Sequence, residues 1–297
     1  MVQNSDAFIS VVVTTYNRKE LLKETIDSIL NQTYTNFELL VVDNNSNYDF
    51  FDLMESFEDS RIHAYQNDNK GIIAVNRNFG IKKSKGAYIA FCDDDDVWYP
   101  QKLKTQLTFF NDEELIGIGC TYDVFQTSSE SVQFSQKIRD RKFDYREILI
   151  NNSGVALSSL LIKNKNFLFE ESQTYFAIED FAFQILMCFQ TKKKILRLGR
   201  PLLKYRKHAN NNSSITQLIK CGKLIEQYKD VLSDRDVKKA YQIYYYQLGK
   251  GYFKLEDVEN AEHYFMASLK HGFQSSKYTL KIITRITRNM LKKYTSI

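Results

Sequence analysis

The amino-acid sequence predicts an α/β fold, with an open sheet in the first two thirds of the chain and an α-helical extension after it. Apolar runs rich in β-branched residues alternate with helical patterns up to about residue 214. Polar residues directly follow the ends of these runs. Beyond residue 214, helical periodicity dominates and strand signals are almost absent. We therefore predict two domains, residues 1–214 and residues 215–297.

Two buried strands are predicted near the start of the chain. Residues 8–14 (FISVVVT) form an apolar run that leads through a short turn into a helical pattern. Residues 37–42 (FELLVV) form a second run, which ends at Asp43. In open α/β sheets, ligands bind outside the carboxyl ends of the strands. Asp43 and the first strand-to-helix turn are therefore predicted to lie at a ligand-binding edge.

Four consecutive aspartates, Asp93 to Asp96, follow a third apolar run at residues 87–92. Four like charges at one strand end repel each other unless a cation or a ligand compensates them. Carboxylates supply the oxygen ligands that Mg²⁺ or Mn²⁺ prefers, and such ions keep open positions for substrate phosphates. The alternative is a solvated acidic loop that caps the next helix.

The remainder of the first domain carries weaker signals. Residues 67–86 are typical of a loop containing Gly71, followed by a helix. Residues 155–162 are expected to form a strand.

An ordered series of motifs resembles a known enzyme family. VVVTTYNR, SILNQTY, FELLVVDNNS, NKGIIAVNRNFGI, GAYIAFCDDDDVW and AIED follow one another over roughly residues 8–214. The series is similar to a family 2 glycosyltransferase of the GT-A fold. The resemblance implies a Rossmann-like domain that binds a nucleotide-sugar donor, with UDP as the expected nucleotide, and a transfer that usually inverts the anomeric centre.

The resemblance also implies which residues meet the nucleotide. Asp43 is similar to the family's base-contacting aspartate. Neighbouring candidates lie on the first strand-to-helix turn and on the loop and helix after residue 67: Thr15, Tyr16, Arg18, Lys70, Gly71 and Arg77. For Arg77 the alternative is a solvated or ion-paired arginine on a helix surface.

A metal site is implied by the same resemblance. The family pattern is aspartate, any residue, aspartate, which matches Asp93, Asp94 and Asp95. Asp93 would meet the ribose or the metal shell, and Asp95 would hold Mn²⁺ or Mg²⁺ against the diphosphate. The fourth aspartate leaves the register open, so Asp94 and Asp96 are further candidates.

The segment YRKHANNNSS resembles a family segment that supplies a histidine to the metal and polar groups to the diphosphate. His208 is thus a candidate metal ligand and Arg206 a candidate phosphate contact. The alternative for His208 is an ordinary surface histidine.

Inverting sugar transfer needs a base for the acceptor hydroxyl. Glu179 and Asp180 precede a helical pattern and are similar to the family's Glu-Asp signature. The resemblance implies that Asp180 is the general base and that Glu179 orients the acceptor or its loop. An acidic cap at the start of a helix is the alternative interpretation, and both can hold at once.

Composition excludes several other classes of protein. Only four cysteines occur in 297 residues, and they are widely spaced, so neither a zinc site nor a disulfide framework is expected. No signal peptide is expected at the start of the sequence, and no apolar run approaches 18 residues. We expect a cytosolic protein, peripheral on the inner face of the membrane if it binds lipid.

The helical extension has two notable parts. Leu248, Gly249, Tyr252, Ala261 and Phe265 occur at spacings that resemble one tetratricopeptide-like helical hairpin, with a plain helical appendage as the alternative.

Residues 273–297 form the second part and contain six basic residues and no acidic one, at helical spacing with apolar residues. This pattern predicts either an anionic membrane contact or a terminal helix packed on its own domain. Nucleic acid is not an expected partner, because no recognition motif accompanies the charge.

The sequence therefore favours a glycosyltransferase acting on a glycan or lipid-linked acceptor in surface polysaccharide synthesis. Two alternatives remain. A nucleotidyltransferase would also combine a nucleotide fold with acidic metal ligands, but TTYNRKE lacks the glycines of its phosphate loop. A non-catalytic scaffold would keep the fold and lose the base or metal residues.

Overall fold

The computed structural model describes residues 6–126, 132–133, 138–151, 154–207, 215–272 and 284. The chain divides into two compact units. One comprises Met1–Tyr145 with Gly154–Asn211, and the other Arg146–Ser153 with Asn212–Ile297. The first contains the sheet and the second is helical. The domain boundary after residue 214 stays a prediction.

The strands of the described residues are Ile9–Thr15 (β1), Phe37–Asp43 (β2), Ile62–Gln66 (β3), Tyr88–Asp93 (β4), Val97–Trp98 (β5), Leu115–Phe125 (β6), Arg141–Phe143 (β7), Leu161–Lys163 (β8) and Lys194–Arg206 (β9). The α-helices are Lys19–Leu30 (α1), Phe50–Glu55 (α2), Ile73–Lys83 (α3), Lys102–Leu107 (α4), Tyr145–Asn151 (α5), Glu179–Thr191 (α6), Ile215–Tyr228 (α7), Asp234–Lys254 (α8) and Val258–His271 (α9).

The sheet confirms the predicted α/β fold class. In the described part of the chain, its strand order is β3-β2-β1-β4-β8-β6-β9-β5, and β7 pairs with β9. β3, β2, β1 and β4 are parallel neighbours, whereas β8 is antiparallel to both β4 and β6. The chain runs from β1 outward to β3 and then returns to the other side of β1, so β1 and β4 border a topological switch point.

The central strands form because both of their faces are buried. Every residue of β1 and of β2 is buried, which explains why these segments are almost continuously apolar. α1 covers the sheet with Leu22, Ile26 and Ile29, which are spaced along one helical face. These contacts hold the ends of β1 and β2 in fixed positions.

Gly86 lies where the chain enters β4 and passes very close to β1. A Cβ atom at this position would lie 2.5 Å from the backbone nitrogen of Ser10. Because backbone atoms cannot move aside as a flexible side chain can, the close pairing of these strands requires glycine here.

Several segments differ from expectation. The strands β3, β5, β7 and β9 were not predicted, because β3 is half-exposed, β5 and β7 span only two and three residues, and β9 carries several charged residues. The strand expected at residues 155–162 is wrong over most of its length. Leu157–Ser159 forms a 3₁₀ turn, and only β8 pairs in the sheet.

The helical unit is built around the pair α8 and α9. Ala261 and Phe265 of α9 are buried against Tyr246, Tyr252 and Phe253 of α8. The ring of Phe265 lies over Gly249, where a Cβ would approach the ring to 2.7 Å. This arrangement is a helical hairpin. Its relation to the tetratricopeptide repeat stays a prediction.

Within the described ranges, no helix combines the length and the apolar character needed to cross a bilayer. The basic segment 273–297 lies outside the described residues, apart from residue 284.

Candidate active site

Polar residues from several strands meet at one edge of the sheet. In the strand register, Thr15 of β1 is opposite Asp43 of β2, and Asp43 is opposite Gln66 of β3. On the other side, Thr14 is opposite Asp93 at the end of β4. The predicted convergence of polar side chains at the carboxyl ends of the strands is therefore observed.

The turn between β1 and α1 is shaped by Asn17. Its φ of 54° lies in the left-handed region, which asparagine tolerates better than most residues. The backbone N–H of Asn17 donates to Ser46 Oγ (2.8 Å), and Asn47 N–H donates to Asn17 Oδ1 (2.7 Å). These bonds tie the turn to the segment after β2 and leave Tyr16 projecting, with 54% of the residue exposed.

Asp43 is completely buried and held by its own neighbours. Its carboxylate accepts hydrogen bonds from the backbone N–H and the hydroxyl of Ser46 (2.9 and 2.5 Å) and from Gln66 Nε2 (3.1 Å). A carboxylate offers about four acceptor positions. Three of them are filled, so Asp43 is a fixed acceptor at the strand end.

The loop before α3 is organised by asparagine side chains. Asn44 Oδ1 accepts from the backbone N–H of Asn69, and Asn69 Oδ1 accepts from that of Gly71, both at 2.8 Å. Lys70 and Gly71 both have positive φ angles, 49° and 78°. The loop thereby brings the backbone of Gly71 to the edge of the sheet, while Lys70 is exposed.

A cleft of about 480 Å³ opens at this edge. Such a volume is typical of a pocket for a nucleotide-sized ligand. Its walls contain five of the predicted site residues, together with Thr14, Ile73, three asparagines and Phe176. The five are Thr15, Tyr16, Arg18, Gly71 and Asp94.

Asp94 and Asp95 share one arginine. Arg18 Nη1 donates to Asp94 Oδ1 (2.9 Å) and to Asp95 Oδ2 (2.8 Å), and Thr15 Oγ1 donates to Asp94 Oδ2 (2.8 Å). Burial raises the pKa of Asp94 to about 6, although the charge of Arg18 opposes this shift. The turn from β1 to α1 therefore contacts the acidic turn directly.

Asp96 has a structural position. Arg206 N–H donates to Asp96 Oδ1 (2.9 Å), and the guanidinium of Arg206 binds the backbone oxygen of Asp95 (2.9 Å) and Glu24 Oε2 (2.5 Å). Burial raises the pKa of Asp96 well above its usual range, and the charge of Asp93 adds to the effect. Arg206 is buried and holds the base of the acidic turn, and its expected role as a phosphate contact stays a prediction.

Arg77 connects the two acidic parts of the site. This buried residue of α3 binds Asp93 Oδ1 through Nη2 (3.1 Å) and Glu179 Oε1 through Nη1 (2.8 Å). The structure shows Arg77 as an ion-paired arginine, which is one of the interpretations given above. It is buried, however, and does not lie on the helix surface. A direct contact with the nucleotide stays a prediction. The arrangement joins the end of β4 to the start of α6, although the two carboxylates are far apart in sequence.

Loss of the Arg77 guanidinium should leave two carboxylates without their shared counter-charge. We expect Arg77→Met to lower the free energy of unfolding by about 3–5 kcal/mol, as for other buried pairs that lose one partner. Arg61→Met is the matched control, because Arg61 pairs with Asp59 at a more exposed site and should cost no more than about 1 kcal/mol. Urea unfolding measures both values. Equal losses would contradict a special role of the buried pair.

Glu179 and Asp180 occupy the first turn of α6, after the cap residue Ile178. Neither acidic residue is the helix cap, so the interpretation as a cap is wrong. Acidic groups in the first turn nevertheless stabilise the helix. Burial, followed by the negative charge of Glu179, raises the pKa of Asp180 to about 6, while Arg77 opposes the shift. Glu179 Oε2 is buried and has no hydrogen-bond partner among the described residues.

The structure thus brings together every described candidate at or beside one sheet edge, except that Lys70 points into solvent. His208 lies outside the described residues. Cleft residues that the sequence analysis did not identify include Asn44, Asn69, Asn76 and Phe176. The asparagines that follow predicted strands could have been identified as cleft residues from the sequence, whereas no sequence pattern pointed to Phe176.

The described residues do not contain a group of three or more side chains placed to hold a metal ion. Asp93 and Asp95 would supply at most two protein ligands at the acidic turn. This donor set fits a hard cation that is shared with substrate phosphates better than one enclosed by protein ligands.

Comparison with known proteins bears on the family and on the fold. The family profile described as "Glycosyl transferase family 2" matches residues 10–171, more than half of the chain. The crystal structure of S. aureus TarS 1-349 in complex with UDP-GlcNAc superimposes with a TM-score of 0.58 at 14% identity, covering 90% of this chain and 93% of that one. This similarity confirms the predicted GT-A fold.

Two sequence relatives cover most of this chain. WfgD of Escherichia coli, named UDP-Glc:alpha-D-GlcNAc-diphosphoundecaprenol beta-1,3-glucosyltransferase, is 28% identical over 240 residues, which are 81% of this chain and 91% of that protein. An uncharacterized glycosyltransferase of Rickettsia prowazekii is 30% identical over 236 residues, covering 76% and 70%.

Other relatives extend well beyond the matched region. The match spans 20% of a Rickettsia bellii glycosyltransferase and 43% of WfaP of Escherichia coli. The shared region contains the β1–α1 turn, the acidic turn and Arg77, because all of them lie within residues 10–171. From the family profile, the fold and the residues at the sheet edge together, we conclude that this chain belongs to glycosyl transferase family 2.

Proposed function

We propose that this protein transfers a sugar from a UDP-linked donor, with inversion, to a hydroxyl of a lipid-linked glycan acceptor. The observation that carries the proposal is the ion-pair chain formed by Asp93, Arg77 and Glu179. It joins the acidic turn beside the cleft to the helix turn that bears Asp180. A donor-binding edge and a candidate base are therefore held in one rigid arrangement.

The nucleotide would occupy the cleft between the β1–α1 turn and the loop at Gly71. Asp43, buried at the end of β2, is the proposed acceptor for the imide N–H of a uracil ring. The exposed ring of Tyr16 offers a stacking surface beside it. TarS in complex with UDP-GlcNAc and the UDP-Glc specificity in the name of WfgD support UDP as the nucleotide.

A divalent cation, Mn²⁺ or Mg²⁺, would be held by Asp95 with Asp93 and would neutralise the charge of the leaving diphosphate. Arg18 lies beside both Asp94 and Asp95, so its guanidinium adds a second positive group at the same place. His208 is proposed as a further ligand.

Asp180 would act as the general base. A pKa near 6 leaves most of its carboxylate ionised at neutral pH and close to the range in which a base works efficiently. It would accept the proton of the acceptor hydroxyl as that oxygen attacks the anomeric carbon. Glu179, fixed by Arg77, would hold the first turn of α6 in position.

The raised pKa of Asp180 predicts a specific pH dependence. The carboxylate must be ionised to accept a proton, so kcat/KM should be constant above about pH 7 and fall about tenfold per pH unit below pH 6. Initial rates between pH 4.5 and 8.5 test this, with UDP affinity followed over the same range because Asp94 titrates there too. A decline that begins only near pH 4 would contradict the assignment.

The nature of the acceptor is proposed from the relatives. WfgD and WfaP are both named for transfer to GlcNAc-diphosphoundecaprenol, a lipid-linked sugar. A cytosolic enzyme at the inner face of the membrane could reach such a substrate. Residues 273–297 would assist through their six basic side chains, each contributing about 1 kcal/mol at an anionic surface.

The membrane contact can be tested directly. At low salt, the intact protein should sediment with vesicles that contain anionic lipid, and removal of residues 273–297 should abolish this. Raised salt should weaken the binding because it screens surface charge. Vesicle binding that survives the truncation would place the lipid contact elsewhere on the chain.

The proposed function is tested by titrating the protein calorimetrically with UDP, GDP and CDP, with and without Mn²⁺. We expect UDP to bind at least about tenfold more tightly than the others, because cytosine lacks an imide N–H for Asp43 and guanine is a larger ring system. Equal affinities would contradict a UDP-specific transferase. Nucleotide binding without turnover of any UDP-sugar would favour the scaffold alternative.

A further inference from the structure

Lys102 is a lysine that is completely buried beside the sheet. It lies on α4, which follows the acidic turn and β5 in the chain. A buried ammonium group is normally paired with a carboxylate, because burial disfavours an unpaired charge. Within the described part of the chain, Lys102 forms no ion pair, and its Nζ donates to Gln106 Oε1 (2.9 Å). The titratable groups that face it are the thiols of Cys92 and Cys120, whose pKa values are both raised by burial.

The ammonium group of Lys102 lies over the ring of Trp98. Its Nζ is 3.8 Å from the centroid of this ring, and Trp98 is buried as well. A cation over an indole is attracted by the ring quadrupole, and the attraction is strongest where water is excluded. Burial lowers the pKa of Lys102 to about 8, so most molecules carry this charge at neutral pH. The cation–π contact is therefore present at neutral pH and is lost when the pH rises above about 8.

Both partners of the ammonium group bind the 3₁₀ turn that precedes β8. Trp98 Nε1 donates to Ser158 O (2.9 Å), and Gln106 Nε2 donates to Ser159 O (2.7 Å). All four of these residues are buried, so water does not compete for the bonds. One charged group thus fixes two side chains that hold neighbouring carbonyl groups of the same turn.

Ser158 connects this 3₁₀ turn to the acidic turn. Its Oγ accepts the backbone N–H of Asp93 (3.0 Å). Asp93 is the last residue of β4, and its carboxylate pairs with Arg77, so its backbone and its side chain are held by different partners. Loss of an outer hydrogen bond that orients a metal ligand typically lowers metal affinity by about 10–100-fold. The support of Asp93 by Ser158 is therefore expected to matter for binding.

We propose that Lys102 is a positioning residue that places Asp93 for the cation and the diphosphate of the donor. Its ammonium group would do so by fixing Trp98 and, through it, the turn at Ser158. The inference rests on the proposed function and extends it to a residue that touches neither metal nor substrate. A buried charge is not needed for stability here, because an apolar side chain of similar volume avoids the cost of desolvation. The charge of Lys102 would therefore serve binding.

Three single variants and one double variant separate positioning from a general effect on the fold. Lys102→Met removes the charge and keeps a straight side chain. Lys104→Met is the matched control, because Lys104 lies on the same helix and is exposed. Ser158→Ala removes the oxygen that accepts the N–H of Asp93, and it is also combined with Lys102→Met. Each protein is titrated with UDP at neutral pH, with and without Mn²⁺, and its free energy of unfolding is measured in urea.

We expect Lys102→Met to weaken UDP binding in the presence of Mn²⁺ by about tenfold. Its stability should equal or exceed that of wild type, because a desolvated charge has been removed. Ser158→Ala should weaken binding by a similar factor. The double variant should bind no more weakly than Ser158→Ala alone, because the two residues act on Asp93 in series. Lys104→Met should behave as wild type.

Two further measurements do not depend on the donor. Trp98 is the only tryptophan of the chain, so selectively excited indole fluorescence reports on this residue alone. We expect the emission of wild type to change with a midpoint near pH 8, as Lys102 loses its proton, and Lys102→Met to lack this step. The backbone N–H of Asp93 should exchange with deuterium faster in Lys102→Met than in wild type or Lys104→Met.

Full Mn²⁺-dependent UDP affinity in Lys102→Met would overturn the proposal, and so would additive losses in the double variant. Fluorescence titrations that are identical in wild type and Lys102→Met would overturn it too. A loss of affinity that comes with a large fall in stability would assign Lys102 to the fold alone and contradict positioning. Failure of the proposed function has a different signature. Wild type would then gain no UDP affinity from Mn²⁺, while fluorescence and amide exchange still decide whether Lys102 holds Asp93.

Discussion

Replacement of Asp180 by asparagine should lower kcat for sugar transfer by about 100-fold or more, while the affinity for UDP stays within about twofold. The amide has nearly the same shape as the carboxylate but cannot accept the proton of the acceptor hydroxyl. Donor binding should survive because the nucleotide candidates lie on other segments. Initial rates at saturating donor, combined with calorimetric UDP titrations, measure both effects.

Two comparisons make the Asp180 result specific. Asp27→Asn changes an exposed carboxylate of α1 in the same way and should leave the rate unchanged. Glu179→Gln should disturb the ion pair with Arg77 and so affect stability as well as rate. Transfer at the wild-type rate by Asp180→Asn would show that Glu179 or another group is the base.

Removal of the Asp95 carboxylate should abolish the increase in UDP affinity that Mn²⁺ produces. In the wild type, the cation would bridge Asp95 and the diphosphate, so metal and nucleotide should strengthen each other's binding. We expect an enhancement of at least about tenfold in the wild type and none in Asp95→Ala. Asp52→Ala, which removes an exposed carboxylate of α2, should behave as wild type.

The same titrations settle the register of the four aspartates. Asp94→Ala should weaken UDP binding mainly by disturbing Thr15 and Arg18, in the presence and absence of Mn²⁺ alike. UDP affinity that is equal with and without Mn²⁺ in both wild type and Asp95→Ala would contradict the metal assignment. Asp96 is a poor ligand candidate, because it is buried and hydrogen-bonded to the backbone of Arg206.

The sequence was sufficient to predict the edge of the sheet where the site lies. β1, β2 and β4 are buried on both faces, so each appears as an apolar run whose polar end is easily seen. Asp43 and Asp93 therefore occupy the predicted places in the register. The helix that begins at Glu179 was equally recognisable from its periodic apolar residues.

Contacts between distant segments could not be predicted in this way. Arg77 joins Asp93 to Glu179, and Arg206 holds the turn at Asp95 and Asp96, only because the sheet brings these segments together. Local patterns do not encode such pairs, since a buried and a solvated arginine look alike in sequence. Phe176 was missed for a different reason, because a single phenylalanine in a sequence is normally taken for a residue of the hydrophobic core.

The stereochemistry of the product tests the central claim most directly. The protein, UDP-glucose and a short-chain lipid diphosphate of N-acetylglucosamine should be combined with Mn²⁺ and followed by proton NMR. UDP-glucose carries an α-linked sugar, so inverting transfer should release one UDP for each new β-glycoside. A product with the α configuration, or UDP binding without any transfer from a panel of UDP-sugars, would contradict the account.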